Sequence, residues 1–370
     1  MGIYSLIYTL NSFGALLSKK DKKFIYIIVF GLLIFISGTR YYMGGTDVYA
    51  YESIYEATPV VSQVMDYVLH DADMGIISGY EKGFILFCSI AKTLNLTYWG
   101  FILVYASLFY VLLFVGIKPL VQEWSVFIGL FMYKIMFYNT FISLRQGMTI
   151  AIFCLSLRFI LAKKFWKYML CCLIAFGFHR GALILFLLYF VQYIPISKKN
   201  IFIFSLAFAP TWLIRDYVDF GTVVEEIVNL FGFSERSLSY TETTEPINII
   251  HTLECYIIVI LILYFYDQII DYGEKAVLSL QMFCITLPIF TLLSNWIVLT
   301  REKDYFVLFY GVIIGYIVSN EKLESSTRKF VLGVSLLCGF IGMIRYVIVF
   351  DGGVLMNFTS FLSQNCKLFY

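Results

Sequence analysis

Charge is scarce in this sequence. Only 14% of its residues are Asp, Glu, Lys or Arg, where a soluble domain carries about 25%. The net charge of +2, without a basic stripe interleaved with aromatics, argues against nucleic acid as a partner. No C-x-x-C pair occurs among the eight cysteines. Cys88, Cys154, Cys171, Cys172, Cys255, Cys284 and Cys338 lie in apolar runs and only Cys366 near the tail, so they read as small hydrophobes rather than a disulfide or metal framework. No G-x-x-x-x-G-K-[ST] occurs, which removes ATP hydrolysis and nucleotide-phosphate cradling. Internal repeats, low-complexity tracts and soluble domains are missing as well.

What fills the chain instead is apolar. Hydrophobic residues make up 60%, aromatics 19%, and the mean hydropathy is +0.82. The fold class this predicts is all-α: a polytopic helical membrane protein, with residues 1–370 forming one membrane domain. The first run, 3–17, has no basic residue before it and Lys19, Lys20, Lys22 and Lys23 after it. It reads as an uncleaved first span with its N-terminus outside, not as a secretory signal. Further spans are expected at 24–37, 98–117, 124–141, 146–162, 166–179, 181–194, 200–215, 248–266, 276–299, 304–319 and 329–350, about twelve in all. The run 83–96, roughly 21 Å as helix, is too short for a full crossing and reads as re-entrant or interfacial. In that register most of the lysines fall inside with Arg328, while Arg145, Arg180, Arg215, Arg236, Arg301, Lys303 and Arg345 fall outside.

Two long polar loops, 38–82 and 216–248, then face outward, and both are acidic. The second carries seven acids against Arg236 alone. Within it, 218–231 is expected to form an amphipathic interfacial helix, either a lid or a plain connection.

Ionisable residues in such surroundings cost several kcal/mol unless paired or wetted, so each marks a candidate site. Arg40 follows a span in a Gly-rich stretch with Asp47, where an arginine fork suits diphosphate and an aspartate can act as base. Arg145-Gln146 offers a bidentate clamp beside an amide donor. The spans 166–179 and 181–194 are short, so their hairpin would sink His179 and Arg180 into a cavity, where a histidine can hand on protons. Arg301 and Asp304 return charge to the same level, either as site residues or as an i,i+3 surface pair. His251 and Glu254 share a helix face but lack a third ligand, so no metal is expected. Lys134, in mid-span, either pairs with Glu254 or snorkels. Arginines at the outer ends of several spans suit a lipid-linked phosphate or diphosphate.

The order of motifs resembles the EpsG-type, Wzy-like polysaccharide polymerases. It runs Gly38-Thr39-Arg40 to Asp47-x-Tyr49-x-Tyr51, then Gly79-Tyr80-Glu81-Lys82-Gly83-Phe84, then Phe141-x-x-x-Arg145-Gln146, then Ala175-Phe176-Gly177-Phe178-His179-x-x-Ala182-Leu183. The match is good in the first half of the chain and weak in the second, through Arg301-x-x-x-Tyr305-Phe306. The resemblance implies a C-type membrane glycosyltransferase fold in the bacterial inner membrane. It also implies a reaction at the outer face that joins oligosaccharide repeats carried on undecaprenyl diphosphate. No cofactor is implied; membrane lipid and a chain-length regulator are the expected partners. His179 or Asp47 would act on the acceptor hydroxyl, and Arg40, Arg145, Gln146, Arg180, Arg301 and Asp304 would hold the diphosphate. A flippase or transporter for a lipid-linked saccharide, or a polysaccharide acyltransferase, stays open as an alternative.

Overall fold

A computed structural model describes residues 1–70, 72–217, 247–296 and 301–370. Among these the chain is helical, with no strand beyond the isolated bridges Arg40–Ser360 and Leu96–Phe369. The expected amphipathic helix at 218–231 lies outside the described residues. In hydrocarbon a backbone must satisfy its own hydrogen bonds, and the described parts of the apolar runs are accordingly mostly helix.

The first nine helices carry most of the architecture. They are α1 (Gly2–Gly14), α2 (Lys19–Thr39), α3 (Asp47–Ala57), α4 (Val61–His70), α5 (Lys82–Thr93), α6 (Tyr98–Ile117), α7 (Trp124–Phe131), α8 (Leu144–Leu161) and α9 (Phe165–Phe178). Polar caps set the starts of two long ones: Ser18 accepts the Asp21 N–H, and Thr97 accepts that of Gly100. Among the described residues four segments are long and apolar enough to cross a membrane: Asp21–Thr39, Tyr98–Ile117, Leu144–Leu161 and Ser325–Gly353. At 1.5 Å per residue, 18–20 residues give about 27–30 Å, the thickness of a bilayer core. Shorter apolar helices at Trp124–Met136, Phe165–Phe178, Arg180–Tyr193 and Ile249–Tyr264 accompany them. Helix α5, at 12 residues, reaches only about 18 Å.

Helix α8 sits at the centre, packed between α6 and α9, while α6 also meets α2. Helix α7 packs on Leu308–Ser319 and on the long last helix Ser325–Val349, whose Phe330, Leu337 and Ile341 point away from the protein. Two π-helical turns, Met132–Met136 and Tyr138–Ile142, carry the α7 direction on towards α8. Such wide turns recur at functional sites. Here they bring Asn139 against the start of α8. A Cβ on Gly147 would lie 1.9 Å from the Asn139 carbonyl oxygen and 2.4 Å from the Tyr105 hydroxyl. Only glycine allows that approach, and the Tyr105 hydroxyl fills it by bonding the carbonyls of Leu144 and Asn139 at 2.9 and 3.1 Å.

The small helices α3, α4 and α5, with the turn Gly75–Gly79, cover one end of this bundle. The tail 351–370 forms no further long helix. It is stitched to the same end, since Tyr41 N–H donates to Thr359, Thr97 N–H to Leu368 and Tyr370 N–H to Asn95.

Candidate active site

The break between α9 and the turn Arg180–Ile184 sets the site. Its hinge is His179, in extended backbone (φ −156, ψ 127) at the end of α9. Across from it, α8 begins at Leu144, which places Arg145 in the first turn facing the covering layer. Glu81, directly before α5, completes the group.

Glu81 is the acid partner that Arg145 requires. Its Oε2 pairs with Arg145 Nη1, its Oε1 lies 3.5 Å from His179 Nδ1, and the backbone N–H of Arg180 donates to Oε1 at 3.2 Å. One carboxylate thus faces the arginine, the histidine and the start of the next turn. The Glu81 side chain is only 9% exposed, against 26% for Arg145 and 22% for His179. The arginine and the histidine reach solvent more than their shared anchor does. Arg145 also lies 5.0 Å from the centre of the Tyr80 ring and abuts Tyr51. Planar stacking of this kind suits guanidinium.

Burial pushes the Glu81 carboxyl up, but His179 and the Arg145 guanidinium outweigh it and hold the group at about 2. Because the folded value is depressed, the pairing contributes stability above the ordinary value of 4.5, and that contribution is lost as pH falls towards 2. Thermal melting of the detergent-solubilised protein should therefore drop between those values, and Glu81→Gln should show a smaller drop. Equal acid sensitivity of the two proteins would mean that the pairing contributes nothing.

Around this centre the other expected residues fall into three groups. Gln146 is buried and donates to the Arg301 carbonyl at 2.8 Å, so its amide holds the 301–304 stretch rather than standing open. Asp304 is 2% exposed, accepts from Asn139 Nδ2 at 2.9 Å and lies 3.4 Å from Lys303. The surface pair with Arg301 is thus replaced by a buried anchor, because the π-helical turns aim Asn139 at it. Tyr305 beside it bonds Thr149 at 2.6 Å. Asp47 stands exposed at the first turn of α3, in electrostatic range of Tyr51 and Tyr138, and Tyr138 also senses Arg301. Arg180 opens the turn that follows His179.

Arg40 is not brought to this surface. It is 2% exposed, donates to the carbonyls of Ser37 and Phe141, and lies 5.2 Å from the centre of the Phe141 ring. Tyr4, Tyr98, Tyr105 and Tyr110 surround it. Its guanidinium ties the end of α2 to the end of the π-helical segment. Elsewhere, Lys134 pairs with Glu254 and lies 3.1 Å from His251 Nδ1, and Tyr133 donates to Glu254 at 2.8 Å. Of the two sequence readings of Lys134, pairing is the one the structure shows. Among the described residues no group of three or more His, Cys, Asp or Glu side chains could hold a metal ion.

Sequence reasoning about the site residues passed over Glu81, Glu302, Asn139 and Tyr51. The available signal was Arg145 itself: a cation at the mouth of an apolar run needs an acid, and none lies nearby in sequence.

The arrangement of long apolar helices with arginines, a histidine and buried carboxylates gathered at one end defines a polytopic membrane protein. Its site groups Arg145, Glu81 and His179. The chain belongs to the EpsG family, whose model matches residues 23–361, nearly the whole chain. That family is of the Wzy-like polymerase type, which makes a polysaccharide polymerase-type function the broad reading. No curated protein and no solved structure matches the chain.

Proposed function

We propose that this protein joins lipid-linked oligosaccharide repeats into polysaccharide by glycosyl transfer at the outer face of the bacterial inner membrane. The observation that carries this reading is the Arg145–Glu81–His179 cluster. It sets a planar cation for a diphosphate beside an imidazole for a hydroxyl. In this reading the donor is the growing chain on undecaprenyl diphosphate and the acceptor is the terminal hydroxyl of an incoming lipid-linked repeat. His179 takes the hydroxyl proton as the acceptor oxygen attacks the anomeric carbon, and the lipid diphosphate leaves. Glu81 holds the imidazole from its Nδ1 side and favours the charge it acquires. Arg145, with Arg180 and Arg301, stabilises charge growing on the diphosphate, where preorganised donors contribute most. Gln146 and Asp304 fix the Arg301 stretch, Arg40 fixes the end of α2, and Asp47 stands at the rim.

The same reading takes the shorter apolar helices as further crossings of a C-type fold with about twelve spans, packed side by side where single helices fall short of the bilayer. It places the N-terminus outside and the lysine-rich turns in the cytoplasm. Membrane lipid and a chain-length regulator are the accompanying partners.

The test is polymerisation by purified protein given the lipid-linked repeat alone, with no nucleotide sugar and no added metal. A ladder of chain lengths is the expected result. No ladder, together with movement of the lipid-linked repeat across sealed vesicles, would replace the polymerase reading with a transporter.

A further inference from the structure

Glu302 carries a buried oxygen that no hydrogen bond explains. It is 7% exposed, and its Oε2 is buried with no hydrogen-bond partner. A buried unsatisfied carboxylate oxygen is a cost that folds seldom carry without a use. Its other oxygen closes over Gly181. A Cβ at that position would lie 2.5 Å from Glu302 Oε1 and 3.0 Å from His179 Nε2. The glycine therefore leaves these two side chains converging over one backbone point, on the opposite side of the imidazole from Glu81.

We propose that Glu302 is the second proton-handling group of the site and protonates the departing lipid diphosphate. This role rests on the glycosyl-transfer reading above. The acceptor hydroxyl gives its proton to His179 Nε2 while its oxygen forms the new bond to the anomeric carbon. The bond from that carbon to the phosphate oxygen breaks, and its electron pair stays on the oxygen. The Glu302 carboxyl gives its proton to that oxygen. The imidazolium then returns a proton to the Glu302 carboxylate across Gly181, and both groups are reset. The net change moves one proton from the hydroxyl to the diphosphate.

The surroundings of Glu302 suit a group that holds its proton. Burial pushes its carboxyl well above the ordinary glutamic acid range, and Asp304 adds to the rise against the pull of Arg301 and Lys303. Tyr305 lies on the same stretch, and His179 faces it from the end of α9. One imidazole is thus flanked by a carboxylate kept ionised and a carboxyl kept neutral. Environments that push two acids apart are how enzymes assign acid and base roles.

The experiment has two arms. The first is infrared spectroscopy of the purified protein at neutral pH, without substrate. The wild type should show a protonated-carboxyl stretch that is missing in Glu302→Gln, a near-isosteric change. The second is the pH dependence of polymerisation with lipid-linked repeat extracted from the same cells. Glu302→Gln should lose about 100-fold or more in rate with repeat binding unchanged, and should lose the alkaline fall that the wild type shows as Glu302 ionises. An unchanged carboxyl band in Glu302→Gln, or a wild-type rate and profile, would overturn the assignment. Absence of polymer from the wild type itself would overturn the glycosyl-transfer reading instead, and the infrared result would still decide whether Glu302 holds a proton.

Discussion

Arg145→Lys should cut polymer output by about 10²–10³, with the protein present in the membrane at its normal level. The charge is conserved, so a purely electrostatic anchor would tolerate the change. What is lost is the planar fork. Arg145 uses one guanidinium nitrogen on Glu81, lies over the Tyr80 ring and abuts Tyr51, and what remains of the fork is what a diphosphate would engage. A compact ammonium on a flexible stem cannot fill these roles at once. Arg158→Lys is the matched control. That arginine lies near the other end of α8, donates to the Val115 carbonyl at 3.0 Å, and touches nothing in the cluster. Gel profiles of polymer length, normalised to protein in the membrane, read the result. Normal chains from Arg145→Lys would reduce Arg145 to a side chain that snorkels.

The second large effect concerns His179. His179→Ala should slow polymerisation by about 10²–10⁴, the usual loss for a removed general base, while lipid-linked repeat still binds because the arginines are untouched. Cells should then display single repeats on the outer acceptor in place of long chains. A flippase with the same substitution would deliver no repeat at all. Long chains of normal abundance would exclude His179, and the base would move to Asp47, which stands exposed at the start of α3.

The helical class was legible because hydrophobic runs in a bilayer have one backbone solution. Each expected run is helical over most of its described length, although the 276–299 run gives way to turns after Phe290, and the short pair around His179 breaks at that residue. Partnerships across the chain were not legible. Glu81 sits in a loop crowded with acids, and nothing local separates one gripping an arginine 64 residues away from one in water. Lys134 had two readings because its partner Glu254 is 120 residues on. Glu302 hides in an Arg-Glu-Lys-Asp run that reads as a solvated face, yet it and Asp304 are buried. Arg40 showed the opposite error. Its glycine-rich surroundings suggested a ligand, whereas the tyrosines that enclose it come from α1 and α6.

Arg40 also bears on how the protein is made. The carbonyl of Phe141 that receives its guanidinium lies 101 residues later in the chain. At about 5–20 residues per second of synthesis, α2 is laid down roughly 5–20 s before that partner exists. Until then the guanidinium has the Ser37 carbonyl of its own helix, and the tyrosines of α6 join it before Phe141 does. The Arg40–Phe141 contact that ties the end of α2 to the π-helical segment thus forms only after about a hundred further residues have been made.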